Sequence, residues 1–153
     1  MKFIKVDKGK CHFQIAAKER VLLFRMLRLY PVIPAAHQRL SRLEDKPEDQ
    51  ELLDAALAEQ RAQNKQQALA MMNAKSRFRK NQRGYRFTIP AAQMEWLLQV
   101  LNDVRVGSWL ALGSPDGPEK ALAALNGRTA PHFWAMEISG HFQAVLLEAV
   151  RGN

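Results

Sequence analysis

The chain has 153 residues, 47% of them hydrophobic and 25% charged, and a formal net charge of +8. That length suits one ordinary domain, which buries on folding roughly 68–70% of the surface its unfolded chain exposes, and the composition excludes a disordered polyelectrolyte. The longest uncharged stretches, such as Val106 to Pro115, fall far short of the roughly 20 apolar residues of a membrane-spanning helix, so no membrane partner is expected.

The opening MKFIKVDKGK has lysines but no apolar h-region, so no secretory signal is expected. Lys2 to Val6 and Cys11 to Ile15 alternate around Asp7-Lys8-Gly9-Lys10, the pattern of a β-hairpin. Cys11 is the single cysteine, which excludes an internal disulfide and fits a reducing cytoplasm. It neighbours His12, but adjacent strand residues face opposite ways, so the two do not make a nucleophile and base. From Ala17 to Tyr30, Leu22, Leu23, Met26 and Leu27 share a broad helical face. Tyr30-Pro31 ends it, and a short helical piece is expected over 35–43.

Asp45-Lys46-Pro47-Glu48-Asp49 has the chemistry of a helix start, with a capping side chain, an early proline and carboxylates in the first turn. The helical pattern can run to about Lys80. Leu52, Leu53, Ala56 and Leu57 form one apolar cluster and Ala68, Leu69, Met71 and Met72 a second, while Glu59 to Gln67 between them is almost entirely polar. This middle reads either as one long helix solvated halfway or as two helices meeting there. Charge changes along the same stretch. Residues 1–42 carry ten basic side chains against Asp7 and Glu19, 43–60 carry seven acidic ones against Lys46, and 61–86 carry eight basic ones and no acid.

The run Lys75 to Arg86 holds six cations, Lys75, Arg77, Arg79, Lys80, Arg83 and Arg86, with Phe78 and Tyr85 interleaved. Closely spaced cations suit phosphates and exposed aromatic rings suit bases, so these are candidate nucleic-acid or anion contacts. The plain alternative is a positive helix end followed by a linker. A strand over 85–89 leads through Pro90 into a central helix, on which Met94, Leu97, Leu98, Leu101, Val104, Trp109 and Leu112 share a face. Laid over each other, FQIAAKERVLLFRML (Phe13 to Leu27) and FTIPAAQMEWLLQVL (Phe87 to Leu101) match Phe13 with Phe87, Ile15 with Ile89, Leu23 with Leu97 and Leu27 with Leu101. Two similar strand-then-helix units therefore enclose a common interior.

Arg105 falls on the core-facing stripe, where a guanidinium must be paired or reach water. The expected partners are Glu137 or Glu148 on the last helix; otherwise Arg105 lines a pocket for an anion. That helix, from about His132 to Val150, turns Trp134, Ile138, Phe142, Val145, Leu146 and Ala149 inward and carries Glu137, His141 and Glu148 on one stripe. Such a stripe can bind a metal or move a proton only with further ligands, and is otherwise a solvated face. No phosphate-loop, HExxH, CxxC-pair or GxSxG spacing occurs, so no cofactor or resident metal is expected and no small-molecule substrate is identifiable.

The segments VLLFRMLRLYP and EWLLQVLNDVRVGSWLALG (Glu95 to Gly113) resemble a bacterial family of small helical proteins of unknown function. The resemblance implies a cytosolic protein and carries no activity over.

The expected fold is a single α+β domain over residues 1–153, mostly helical. It combines a helical bundle, a small antiparallel sheet from the N-terminal hairpin and one strand near 85–89, and a polar helical segment over about 47–82 free to protrude. The leading functional expectation is a non-enzymatic cytoplasmic interaction or regulatory protein, using Leu52 to Met72 to dock a protein partner or a second copy. The alternative is a nucleic-acid binder using 75–86, and the third an enzyme or anion-binding protein with a pocket around Arg105.

Overall fold

A computed structural model describes residues 1–34 and 47–151. The short helix expected over 35–43 and the capping residue Asp45 lie outside the described residues. The chain is α+β and mostly helical, as its patterning implies.

Strands β1 (Lys2–Asp7) and β2 (Lys10–Ile15) form the hairpin, turning at Lys8 and Gly9, both with positive φ. Helix α1 (Ala17–Leu29) follows. Helix α2 (Pro47–Asn73) is a single 27-residue helix, which settles the choice between one helix and two. A 3₁₀ turn, Lys75–Arg77, then leads into β3 (Phe78–Asn81) and β4 (Gly84–Pro90). After a second 3₁₀ turn come α3 (Met94–Ala111), the short α4 (Pro118–Ala123) and α5 (Ala130–Arg151), which packs along α3. The four strands pair antiparallel in the order β1-β2-β4-β3.

The sheet is thus one strand wider than expected, because the first half of the basic run is neither helix end nor linker. Phe78 supplies a core-facing anchor, its ring stacking 4.7 Å from Phe87. Asn81 supplies the turn, its side chain accepting the Arg83 N–H at 3.0 Å. Gly84 makes the close approach possible: its φ is +119°, and a Cβ there would meet Ile15 O at 2.5 Å. Gly84→Ala should therefore destabilise the fold by about 2 kcal/mol or more, measurable by urea unfolding, because left-handed strain adds to a backbone clash.

Phe13 sits opposite Phe87 in the ladder, with ring centroids 5.7 Å apart. Both are fully buried together with Ile15, Ile89, Leu23, Leu27, Leu97 and Leu101, so the two strand-helix units share one interior. The sheet lays one face on the helices. Among the described residues, no helix lies over its other face.

The middle of helix α2 is solvated along one side, where Glu59, Gln60, Gln63 and Gln66 are exposed, and held along the other. Lys65 Nζ donates to the carbonyls of Arg28 and Tyr30 at 2.8 and 2.6 Å, Asn64 donates to the Tyr30 hydroxyl at 3.1 Å, and Arg61 donates to Ile33 O. From α3, buried Asp103 accepts the N–H groups of Val32 and Ile33 at 2.6 and 3.2 Å. The polar residues are therefore a clamp on the chain leaving α1, whose unpaired backbone groups demand such partners. Ala68 and Met71 continue the contact into the core, whereas Leu52 is 71% exposed.

On α5 the buried stripe is Ala135, Ser139, Phe142, Val145, Leu146 and Ala149. Trp134, expected inside, is exposed instead. Phe133, one residue earlier, takes the inward place in a small second cluster with Leu112 and Ala121, and Trp134 stands edge-on against its ring.

Candidate nucleic-acid interface

Strand alternation sends Cys11, Phe13 and Ile15 of β2 inward and leaves Lys10, His12 and Gln14 on the uncovered face. Register then decides what stands beside them. Gln14 pairs with Lys2 on one side and Arg86 on the other, and Arg86 in turn pairs with Arg79. His12 pairs with Lys5 and Thr88. One irregularity shapes the β1 side: the ladder slips between Phe3 and Lys5, leaving Ile4 as an extra residue. The slip brings Lys5 onto the same face as Lys2, whereas strict alternation would turn it inward.

Lys10, His12, Arg77, Arg79, Arg86 and Thr88 line a shallow groove of about 500 Å³ on this face. Several of its side chains are held. His12 Nδ1 lies 3.1 Å from Thr88 Oγ1, Arg77 donates to Gln93 Oε1 at 2.8 Å, and Gln14 and Asn81 exchange amide hydrogen bonds at 2.9 and 3.3 Å from β2 to β3. Arg79 and Arg86 are exposed. The carboxylate here is Asp7, 3.7 Å from Lys5.

Of the six cations proposed from the run, the fold brings together Arg77, Arg79 and Arg86. Arg83 sits in the β3–β4 turn, Lys75 begins the 3₁₀ turn, and Lys80, opposite Tyr85, belongs to the other side of the edge strand. The interleaved aromatics do not serve the site. Phe78 is core, and Tyr85 lies under the Arg20 guanidinium at 4.0 Å on the helix side. Lys2, Lys5, Lys10, His12 and Thr88 are members that reading the run alone misses. The hairpin's own alternation carried the signal for Lys10 and His12.

Cys11 is buried, and that burial pushes its thiol pKa up, as befits a structural cysteine. Arg105 corrects its expectation. It is exposed, and among the described residues no ion pair joins it to Glu137 or Glu148. It lies at the margin of the α3 stripe and passes over Gly140, with Nε 3.6 Å from where a Cβ would stand, so the guanidinium reaches water. Arg105, Glu137 and His141 do line one open groove between α3 and α5; Glu148 is outside it. His141 leans instead towards Glu19 on α1, 4.0 Å away. Burial pushes the Glu19 carboxyl up, but the Met1 amino group and the Ala16 N–H outweigh it and hold Glu19 below the ordinary range.

Among the described residues no group of three or more His, Cys, Asp or Glu is gathered to hold a metal ion, and no helix is long and apolar enough to cross a membrane. Comparison with protein families, with curated proteins and with solved structures finds no match, so the chemistry of this basic sheet face is argued from its own geometry.

Proposed function

We propose that the protein binds nucleic acid through the uncovered face of its sheet. The observation that carries this reading is the register, which gathers Lys2, Lys5, Lys10, Arg79 and Arg86 from all four strands, with Arg77 beside them, against one carboxylate among the described residues, Asp7. These cations come from two separate basic blocks of the chain. Exposed, mutually repelling cations left without enough counter-charges favour a polyanion, whose condensed counterions are released on binding.

The protein-contact reading attached to α2 has weaker support. Leu52 and Leu69 are both exposed but 17 residues apart, about 25 Å along a helix, with the polar clamp between them. Their two clusters form no continuous patch. The groove at Arg105 holds a carboxylate and an imidazole beside its one guanidinium, a poorer match to a polyanion.

Fluorescence anisotropy with a labelled oligonucleotide tests the proposal. Affinity should fall about 100-fold or more between 50 and 200 mM salt, and Arg79→Ala with Arg86→Ala should lower the slope of log K against log salt by about two. Absence of binding at 50 mM salt sinks the reading.

A further inference from the structure

We infer that the ligand of this face is a duplex, gripped along the two phosphate rows that border one groove. The inference rests on the nucleic-acid reading and concerns which form is bound.

The cations are not spread evenly. One rim is Lys2 and Lys5 on β1; the other is Arg86 on β4, Arg79 on β3 and Arg77 in the turn before it. Between the rims run Gln14, His12 and Thr88, with Lys10 at one end of β2 opposite the Asp7 carboxylate of β1. Neighbouring strands stand about 4.8 Å apart, so the rims are separated by two to three spacings, about 10–14 Å. A B-form minor groove about 6 Å wide between phosphate surfaces sets its two phosphate rows about 12 Å apart, and flexible lysine and arginine side chains absorb the remainder. A hydrogen-bonding strip of Gln14, His12 and Thr88, with its one cation, Lys10, at the end where Asp7 offsets it, matches a groove floor between two phosphate rows.

A single strand offers one phosphate row and seeks aromatic rings for its bases. The sheet has none to give. Its aromatics, Phe3, Phe13, Phe78, Tyr85 and Phe87, all lie on the helix-packed side. The β1 rim exists because of the slip at Ile4, which keeps both lysines on the uncovered face.

The test compares the intact chain on a labelled 20-base-pair DNA duplex and on one of its strands at 50 mM salt. The duplex should bind at least tenfold more tightly. Lys2→Ala with Lys5→Ala should remove most of that preference and lower the duplex salt slope by about two, a larger change than on the single strand. A circular dichroism spectrum and melting temperature matching the parent would confirm that the variant is folded. Single-strand affinity equal to the duplex, or a Lys2/Lys5 variant with unchanged duplex affinity, overturns this inference and leaves nucleic-acid binding standing. Failure to bind either form overturns both.

Discussion

Phe87→Ala should lower the stability of the fold by about 4 kcal/mol, the middle of the range for emptying a large aromatic site in a core. The size of the loss follows from where the ring sits. Phe87 is fully buried, with Phe13 5.7 Å to one side and Phe78 4.7 Å to the other, so it joins the N-terminal hairpin to the second one. Nothing beside it can close the gap, since Phe13 and Phe78 are each fixed by strand register. For a chain of this length the melting temperature should fall by about 12 °C. Urea unfolding with an unchanged m-value checks it, and a loss below about 1.5 kcal/mol contradicts the packing described.

Asp103→Ala should cost about 3 kcal/mol, because it strands the N–H groups of Val32 and Ile33 away from any acceptor. Asp103→Asn keeps an acceptor oxygen and should cost less than half as much. The two variants also differ from the parent in pH response. Burial, resisted by the two N–H groups and by Arg61, raises the Asp103 carboxyl above its ordinary range. A carboxyl whose folded pKa exceeds its unfolded value stabilises most below the unfolded value, about pH 4, and that share is lost as pH rises through the folded value. Chemical denaturation between pH 4 and 7 should show this decline in the parent and its absence from Asp103→Asn. A parent profile that does not differ from that of Asp103→Asn would count against it.

Much of the architecture could be read from residue pattern alone, and the exceptions have physical causes. Period-two alternation from Cys11 to Ile15 and a 3.6-residue stripe from Leu97 to Val104 are strong local signals, and both elements formed. The match of Phe13 with Phe87 survives as a direct cross-strand pair. The strand at Phe78 was hidden because four residues carry too little periodicity, and three of them are Arg, Lys and Asn. The clamp of Arg61, Asn64 and Lys65 was hidden because its partners are main-chain carbonyls and a hydroxyl around Tyr30, and a polar side chain in a sequence does not announce which backbone group it will meet. Arg105 reaches water rather than an acid because helical phase fixes a direction but not the height of the neighbouring wall, which Gly140 leaves low. The basic run contributes Arg77, Arg79 and Arg86 to the uncovered face. It could not reveal that half its members turn elsewhere, nor that β1 supplies the opposite rim, since register is settled only by long-range pairing.

The borders of the sheet limit how anything can attach to it. On β1 the misfit at Ile4 breaks the even row of backbone donors and acceptors, and β3 at the far side is only four residues long. Neither border offers an incoming peptide a straight template to extend, and lysine or arginine on both discourages it further. Addition of a further strand at either edge is thereby disfavoured, and the cations that guard the edges are the same ones that crowd the broad face.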